Sequence, residues 1–187
     1  MALTFDIGVK GPGEVPRVLD ALHGEQVHST FFVIGVWAES NPDLLRRMAA
    51  EGHELASHTY DHPDLRQITD EQIAEQMQRT EAIVIEITGR STKPYMRAPF
   101  GGYDDRMLAA LRKLGYTVVH WSLDSTDWRA ESTSESVAVP VVGKAQPGDI
   151  VVLHGHSPKT AAALPAIIKG LKGKGYRLGT LSQALGR

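Results

Sequence analysis

Short, unbroken apolar runs set the strongest limit on how this chain can fold. Leu3-Thr4-Phe5, Thr30-Phe31-Phe32-Val33-Ile34, Thr117-Val118-Val119 and Ile150-Val151-Val152-Leu153 place strand-forming side chains at successive positions rather than at every second one. A strand of that kind has no face to give to water, so it belongs inside a parallel sheet covered by helices on both sides. The strand candidates are residues 2–5, 30–34, 54–56, 95–96, 117–121, 150–153 and 177–178. Between them the apolar period changes to that of a helix. Val15, Val18, Leu19 and Leu22 form one stripe and Leu44, Leu45 and Met48 a second, after Asn41 as N-cap and Pro42 at the first helical position, with Gly24 and Gly52 as stops.

The clearest helix start is Thr69 with Gln72 three residues on, a capping box followed by Ile73, Met77, Val84 and Ile87 on one face and ended by Gly89. Further helices are expected over 106–114, 134–144 and 161–172, with Pro165 near an irregular start of the last. Strands alternating with helices over 187 residues predict one α/β domain spanning 1–187, either an open doubly wound sheet or a barrel. Periodicity does not choose between them, but both collect chemistry at the carboxyl ends of the strands.

Composition narrows the function. With 20 Lys and Arg against 22 Asp and Glu the net charge is −2, and no run of one sign offers a general grip on nucleic acid. The absence of cysteine removes disulfides, iron–sulfur clusters, thiolate metal sites and cysteine nucleophiles. No apolar run approaches the roughly 18 residues of a membrane span, and Met1 leads directly into a strand with no signal-peptide pattern.

Five polar clusters fall at predicted strand ends. Ser57-His58-Thr59-Tyr60-Asp61-His62 places two imidazoles four residues apart, on one face if the backbone makes a helical turn, and neutral imidazole suits zinc and related ions. Two histidines leave a metal incomplete, and a pair of surface or capping histidines is the plain alternative. Leu3-Thr4-Phe5-Asp6-Ile7-Gly8 ends an apolar strand in a carboxylate that could be a ligand, a general base or a turn residue. Arg97-Ala98-Pro99-Phe100-Gly101-Gly102 joins a cation to a rigid turn whose N–H groups could face a ligand. Asp124-Ser125-Thr126-Asp127-Trp128 and Val152-Leu153-His154-Gly155-His156 complete the set: an Asp that orients a His prepares it to donate a proton, and Trp128 can wall a pocket or stack on a sugar.

In their order these motifs resemble the polysaccharide deacetylases of the NodB-homology type, carbohydrate esterase family four. The likeness extends through Ser29-Thr30-Phe31-Phe32-Val33-Ile34-Gly35, Glu51-Gly52-His53-Glu54 and Gly175-Tyr176-Arg177-Leu178-Gly179-Thr180-Leu181, essentially the whole chain. The resemblance implies a distorted (β/α) barrel, usually seven-stranded, that removes acetyl groups from N-acetylated, less often O-acetylated, sugars with a divalent metal: zinc, or alternatively cobalt or nickel.

It further implies that His58 and His62 are metal ligands, Asp6 the general base held by Arg97, and His154 the general acid oriented by Asp127. The Phe100 N–H would stabilise the oxyanion, and Trp128 with Val152 or Leu153 would line the acetyl pocket. The implied partner is an N-acetylated polysaccharide or oligosaccharide such as chitin, chito-oligosaccharide or peptidoglycan. A cell-wall substrate implies a secreted or envelope location, with the targeting segment outside this sequence.

One departure stands out. Where the family pattern carries a second Asp as third metal ligand, this chain has Ile7, which has no lone pair. Water, Asp6 itself or His156 could complete the site. The competing readings are a carbohydrate-binding homologue without turnover and an O-acetyl esterase of the acetylxylan type.

Overall fold

The computed structural model describes residues 1–8 and 11–186. Its strands are β1 (Ala2–Asp6), β2 (Thr30–Val33), β3 (Glu54–Ser57), β4 (Tyr95–Met96), β5 (Thr117–Val118), β6 (Leu123–Asp124) and β7 (Ile150–His154). All pair in parallel, in the order β5-β4-β3-β2-β1-β7-β6. The helices are α1 (Val15–Gly24), α2 (Gly35–Ser40), α3 (Pro42–Ala50), α4 (Asp70–Thr88), α5 (Asp105–Lys113), α6 (Ser134–Lys144), α7 (Pro158–Gly173) and α8 (Leu181–Ala184).

Closure follows from the order of the strands. β5 and β6 occupy opposite ends of the sheet, yet only residues 119–122 join them. Five Cα steps reach at most about 18 Å. The sheet therefore curls until its two edges face each other across a short seam, without ladder pairing between them. The result is a distorted (β/α) barrel, which decides the choice that periodicity leaves open.

Strand alternation sorts the side chains. Thr4 and Asp6 of β1, Phe32 of β2, Ala56 of β3 and Val152 and His154 of β7 turn into the barrel. Leu3, Phe5, Phe31, Val33, Leu55, Val151 and Leu153 turn outward into the core shared with the helices. In register, Thr4 lies beside Val152 and Asp6 beside His154, so one rung of the barrel carries a carboxylate next to an imidazole.

Several sequence expectations are corrected. The expected strand 117–121 ends at Val118, because residues 119–122 must leave one edge and reach the other. Residues 177–178 form no strand; the chain there makes a single bridge, Gly179 to Ala2, beside the end of β1. The short helix α2 has too few residues for a periodic signal, and Asn41, at the N-cap position of α3 as expected, makes no side-chain cap there: its amide Nδ2 donates to the Trp37 carbonyl and closes α2 instead.

Pro165 lies well inside α7, which starts earlier than expected. Ser157 caps that helix by accepting from the Thr160 N–H, and Pro158 takes its first position. An internal proline costs about 3 kcal/mol, which burial of Leu164, Ile167, Ile168 and Leu171 offsets at roughly 1.5–3 kcal/mol each. The capping box at Thr69 and Gln72 forms as expected, and Gly89 ends α4 in the left-handed region at φ 70°.

Candidate active site

A cleft of about 680 Å³ opens at the carboxyl end of the barrel. Asp6, His58, His62 and His154 line it together with Phe100, Val152 and Trp128. At its base lies Arg97, directly after β4 and fully buried. The guanidinium donates through Nη1 to Asp6 Oδ1 at 2.8 Å and to Thr4 Oγ1 at 2.9 Å. Its other nitrogens reach across the seam to the carbonyls of Val119 (3.2 Å) and His120 (3.0 Å), while its face lies 4.0 Å from the Phe32 ring centroid. Burial pushes the Asp6 carboxyl up, but the Arg97 charge, aided by His58 and His154, outweighs it and holds the group below the usual carboxylate range.

His58 and His62 leave β3 on an irregular, non-helical turn, with Thr59 and His62 both in the left-handed region at φ 70° and 69°. The turn is held locally. Thr59 Oγ1 accepts from the His62 N–H, and Gln76 of α4 accepts from the N–H groups of Tyr60 and Asp61. The two rings still meet, edge to face, with centroids 4.8 Å apart. Backbone strain at such turns is sustained where the surroundings over-determine it.

His58 Nδ1 lies 2.8 Å from the Arg97 carbonyl, which fixes Nδ1 as the protonated nitrogen and leaves Nε2 as a lone-pair donor 3.9 Å from Asp6 Oδ2. Burial lowers the His58 pKa, and burial followed by the neighbouring His58 lowers that of His62 to about 4, so both rings are neutral at pH 7. Neutral imidazoles with a braced far nitrogen fit a divalent ion. Among the described residues no group of three His, Asp or Glu side chains is arranged to hold one. Ile7 borders the cleft but is buried in the helix-side core, its Cδ1 packed where a Cβ on Gly155 would come within 2.8 Å. His156 lines the cleft against the side-chain-free Gly8 and Gly13, with its ring centroid 5.6 Å from that of His154.

On the facing strand, His154 Nδ1 donates to Asp127 Oδ1 at 2.7 Å, while its backbone N–H donates to Oδ2 at 2.8 Å. Thr160 of α7 also donates to Oδ2. Burial opposes the charged form of His154, but the Asp127 hydrogen bond and charge, helped by Asp6, raise its pKa above the ordinary imidazole value. Thr4 and Thr160, which brace Arg97 and Asp127, were not singled out by sequence; only their places on β1 and in the first turn of α7 mark them.

Phe100 is 72% exposed and left-handed at φ 61°, and its N–H belongs to the opening of a 3-10 turn (Pro99–Gly101), before that turn's first internal bond. Trp128, 59% exposed, forms another wall. Leu153 is not in the cleft: with His154 facing inward, alternation turns Leu153 out into the helix-side core, and Val152 takes the lining position.

Comparison with known proteins identifies the family. The polysaccharide deacetylase family profile matches residues 1–119. The peptidoglycan-N-acetylmuramic acid deacetylase PdaA of Bacillus subtilis (strain 168) is 36% identical over 93% of this chain, which spans 66% of that protein's length. A chitooligosaccharide deacetylase of Bradyrhizobium sp. (strain ANU 289) is 35% identical over 97% of this chain and 88% of its own length.

Among solved structures, the Bc1960 peptidoglycan N-acetylglucosamine deacetylase superposes with a TM-score of 0.91 at 33% identity, over 98% of this chain and 86% of the other. BA3943, described as a family-four pseudoenzyme from Bacillus anthracis, also reaches 0.91, at 26% identity over 98% of this chain and 64% of the other. With a family profile that matches well over half of its length and relatives more than 30% identical over nearly all of it, the chain belongs to the polysaccharide deacetylase family, hydrolases of carbon–nitrogen bonds.

Proposed function

We propose that this protein is a metal-dependent hydrolase that removes acetyl groups from N-acetylglucosamine units of a polysaccharide, peptidoglycan or chitin-like. The observation that carries the reading is the pairing of Asp6, held by Arg97, with His154, held by Asp127, on adjacent strands of one rung.

Asp6 remains anionic at neutral pH and has Oδ1 committed to Arg97, which leaves Oδ2 to take a proton from an attacking water. His154, fixed through Nδ1, presents Nε2 to the cleft, and the Asp127 carboxylate favours the protonated ring that can give a proton to the departing nitrogen, which an amide cannot expel as an anion. The Phe100 N–H is placed to donate to the developing oxyanion. Phe100, Val152 and Trp128 supply apolar walls for the acetyl methyl.

His58 and His62 would hold the divalent ion, zinc or alternatively cobalt or nickel. Once bound, it would supply Lewis acidity to carbonyl and water. The hydrocarbon of Ile7 at the cleft edge supports a second reading, a carbohydrate-binding homologue without turnover.

The deciding experiment is acetate release from N-acetylglucosamine oligomers by purified protein, after chelation and again after zinc, cobalt or nickel is returned. Release that stops with chelator and recovers with metal is the expected result. No release under any metal, from folded protein that still binds the oligomers, selects the binding homologue. Envelope or extracellular action follows from this substrate class.

A further inference from the structure

Two imidazoles four residues apart meet only if the backbone between them bends, and here the bend uses two left-handed residues, Thr59 and His62, that are not glycines. Such conformations persist where packing and hydrogen bonds from outside impose them. Two helices do so. From α2, the Gly35 and Val36 N–H groups donate to the carbonyls of Thr59 and Tyr60 at 3.0 and 2.9 Å. The approach is close because Gly35 lacks a side chain: a Cβ there would lie 2.4 Å from the Tyr60 ring.

From α4, Gln76 serves the other side of the turn. Its Oε1 accepts from the N–H groups of Tyr60 at 2.8 Å and Asp61 at 3.2 Å, and its Nε2 donates to Asp61 Oδ1 at 2.7 Å. The sense of the amide is therefore fixed, since flipping it would set oxygen against carboxylate and nitrogen against N–H. The remaining N–H groups are met locally: His58 donates to the Val33 carbonyl, Thr59 to Ser57 Oγ and His62 to Thr59 Oγ1. The Tyr60 ring is pinned separately, its hydroxyl donating to Glu39 at 2.9 Å and the Arg79 guanidinium lying 3.6 Å over its face. What is left to set is the orientation of the peptide planes, and Gln76 sets two of them. Tyr60 is buried, so its N–H would go unpaired without that acceptor.

We infer that Gln76 is a positioning residue for the imidazole pair: reaching in from α4, it holds the turn so that His58 and His62 already face each other before an ion arrives. The inference rests on the proposed role of these histidines as ligands, and it places control of their affinity on a helix residue that does not line the cleft. Ligands held in place beforehand bind more tightly because little ordering remains to be done on binding.

The test reads metal-free protein by NMR and zinc binding by calorimetry, in wild type and in variants at position 76. Gln76→Met keeps the length of the side chain without its acceptor. Gln76→Glu keeps the acceptor but sets a carboxylate against Asp61, and Gln76→Glu/Asp61→Asn restores a donor to that carboxylate. Gln78→Met, on the exposed face of the same helix, is the control.

In wild type the two rings, with centroids 4.8 Å apart, should give a nuclear Overhauser contact, and the Tyr60 amide should exchange slowly. Gln76→Met should lose the contact, speed that exchange and weaken zinc binding roughly 10- to 100-fold. The Gln76→Glu/Asp61→Asn pair should recover affinity that Gln76→Glu loses, and Gln78→Met should change nothing. If Gln76→Met fails to fold, the comparison of Gln76→Glu with that pair decides the same point. Full zinc affinity in Gln76→Met together with an intact ring contact overturns the inference. If wild type takes up no zinc, cobalt or nickel, the metal reading of the cleft falls alone, because the ring contact in the variants still decides whether Gln76 positions the pair.

Discussion

At the scale of single residues, opposing electrostatic environments divide the labour of the cleft. Arg97 favours the ionised form of Asp6, and Asp127 favours the protonated form of His154. Activity that needs protonated His154 is lost as pH rises through its raised pKa. Asp127→Asn removes the cause of that rise, so the basic limb of the kcat/KM profile should move to lower pH. His154→Ala should lower turnover of an N-acetyl substrate by about 100- to 10,000-fold and that of an activated acetyl ester far less, since only the amine leaving group needs the proton; equal losses would remove His154 from the general-acid role. Ile7→Asp should tighten zinc binding measured by calorimetry if the gap is real, and unchanged affinity would show that another donor already fills it. That Asp6, His58, His62, Arg97, Asp127 and His154 would meet at one cleft was legible because each stands at or just beyond a strand end of the sequence pattern. Leu153 was misplaced because two apolar neighbours on a buried strand look alike until the inward rung is known.

At the scale of elements, long segments with caps were readable, and of the short ones β3 and β4 were found while β6, α2 and α8 were not. The α4 start is written in Thr69 and Gln72, each satisfying an N–H of the other's backbone. Thr69→Ala should cost about 1 kcal/mol in urea unfolding. β5 and β6 carry two residues each, below the length at which alternation means anything. The conformation of the turn from His58 to His62 was left open by the sequence because its left-handed residues are not glycines and the turn is held by Gln76, which is remote in sequence. Gly101→Ala brings a similar conflict into view. Its Cβ would strike Trp121 and His120, so the substitution should alter tryptophan fluorescence.

At the scale of the whole molecule, buried neutral histidines set the response to acid. His53 and His62 have folded pKa values lowered to about 4, mainly by burial, from 6.5, and His58 is lowered as well. Below pH 6.5 the unfolded chain binds protons that these three refuse, so metal-free protein should lose stability as pH falls from about 6.5 toward 4, with His154 opposing the trend. A urea midpoint at pH 5 equal to or above that at pH 7 would contradict this balance. Barrel closure, expected from the family resemblance, was not legible in periodicity because it depends on the distance between two-residue strands at opposite ends of the sheet order. The seam they leave has no ladder to lock it. Arg97 is its clasp, and the same guanidinium sets the charge of Asp6. Mechanical integrity and chemical competence thus share a single point of failure. If the edge at residues 117–124 frays, the base is released in the same event, and amide exchange there should rise at the denaturant concentration where turnover disappears, before the rest of the barrel opens.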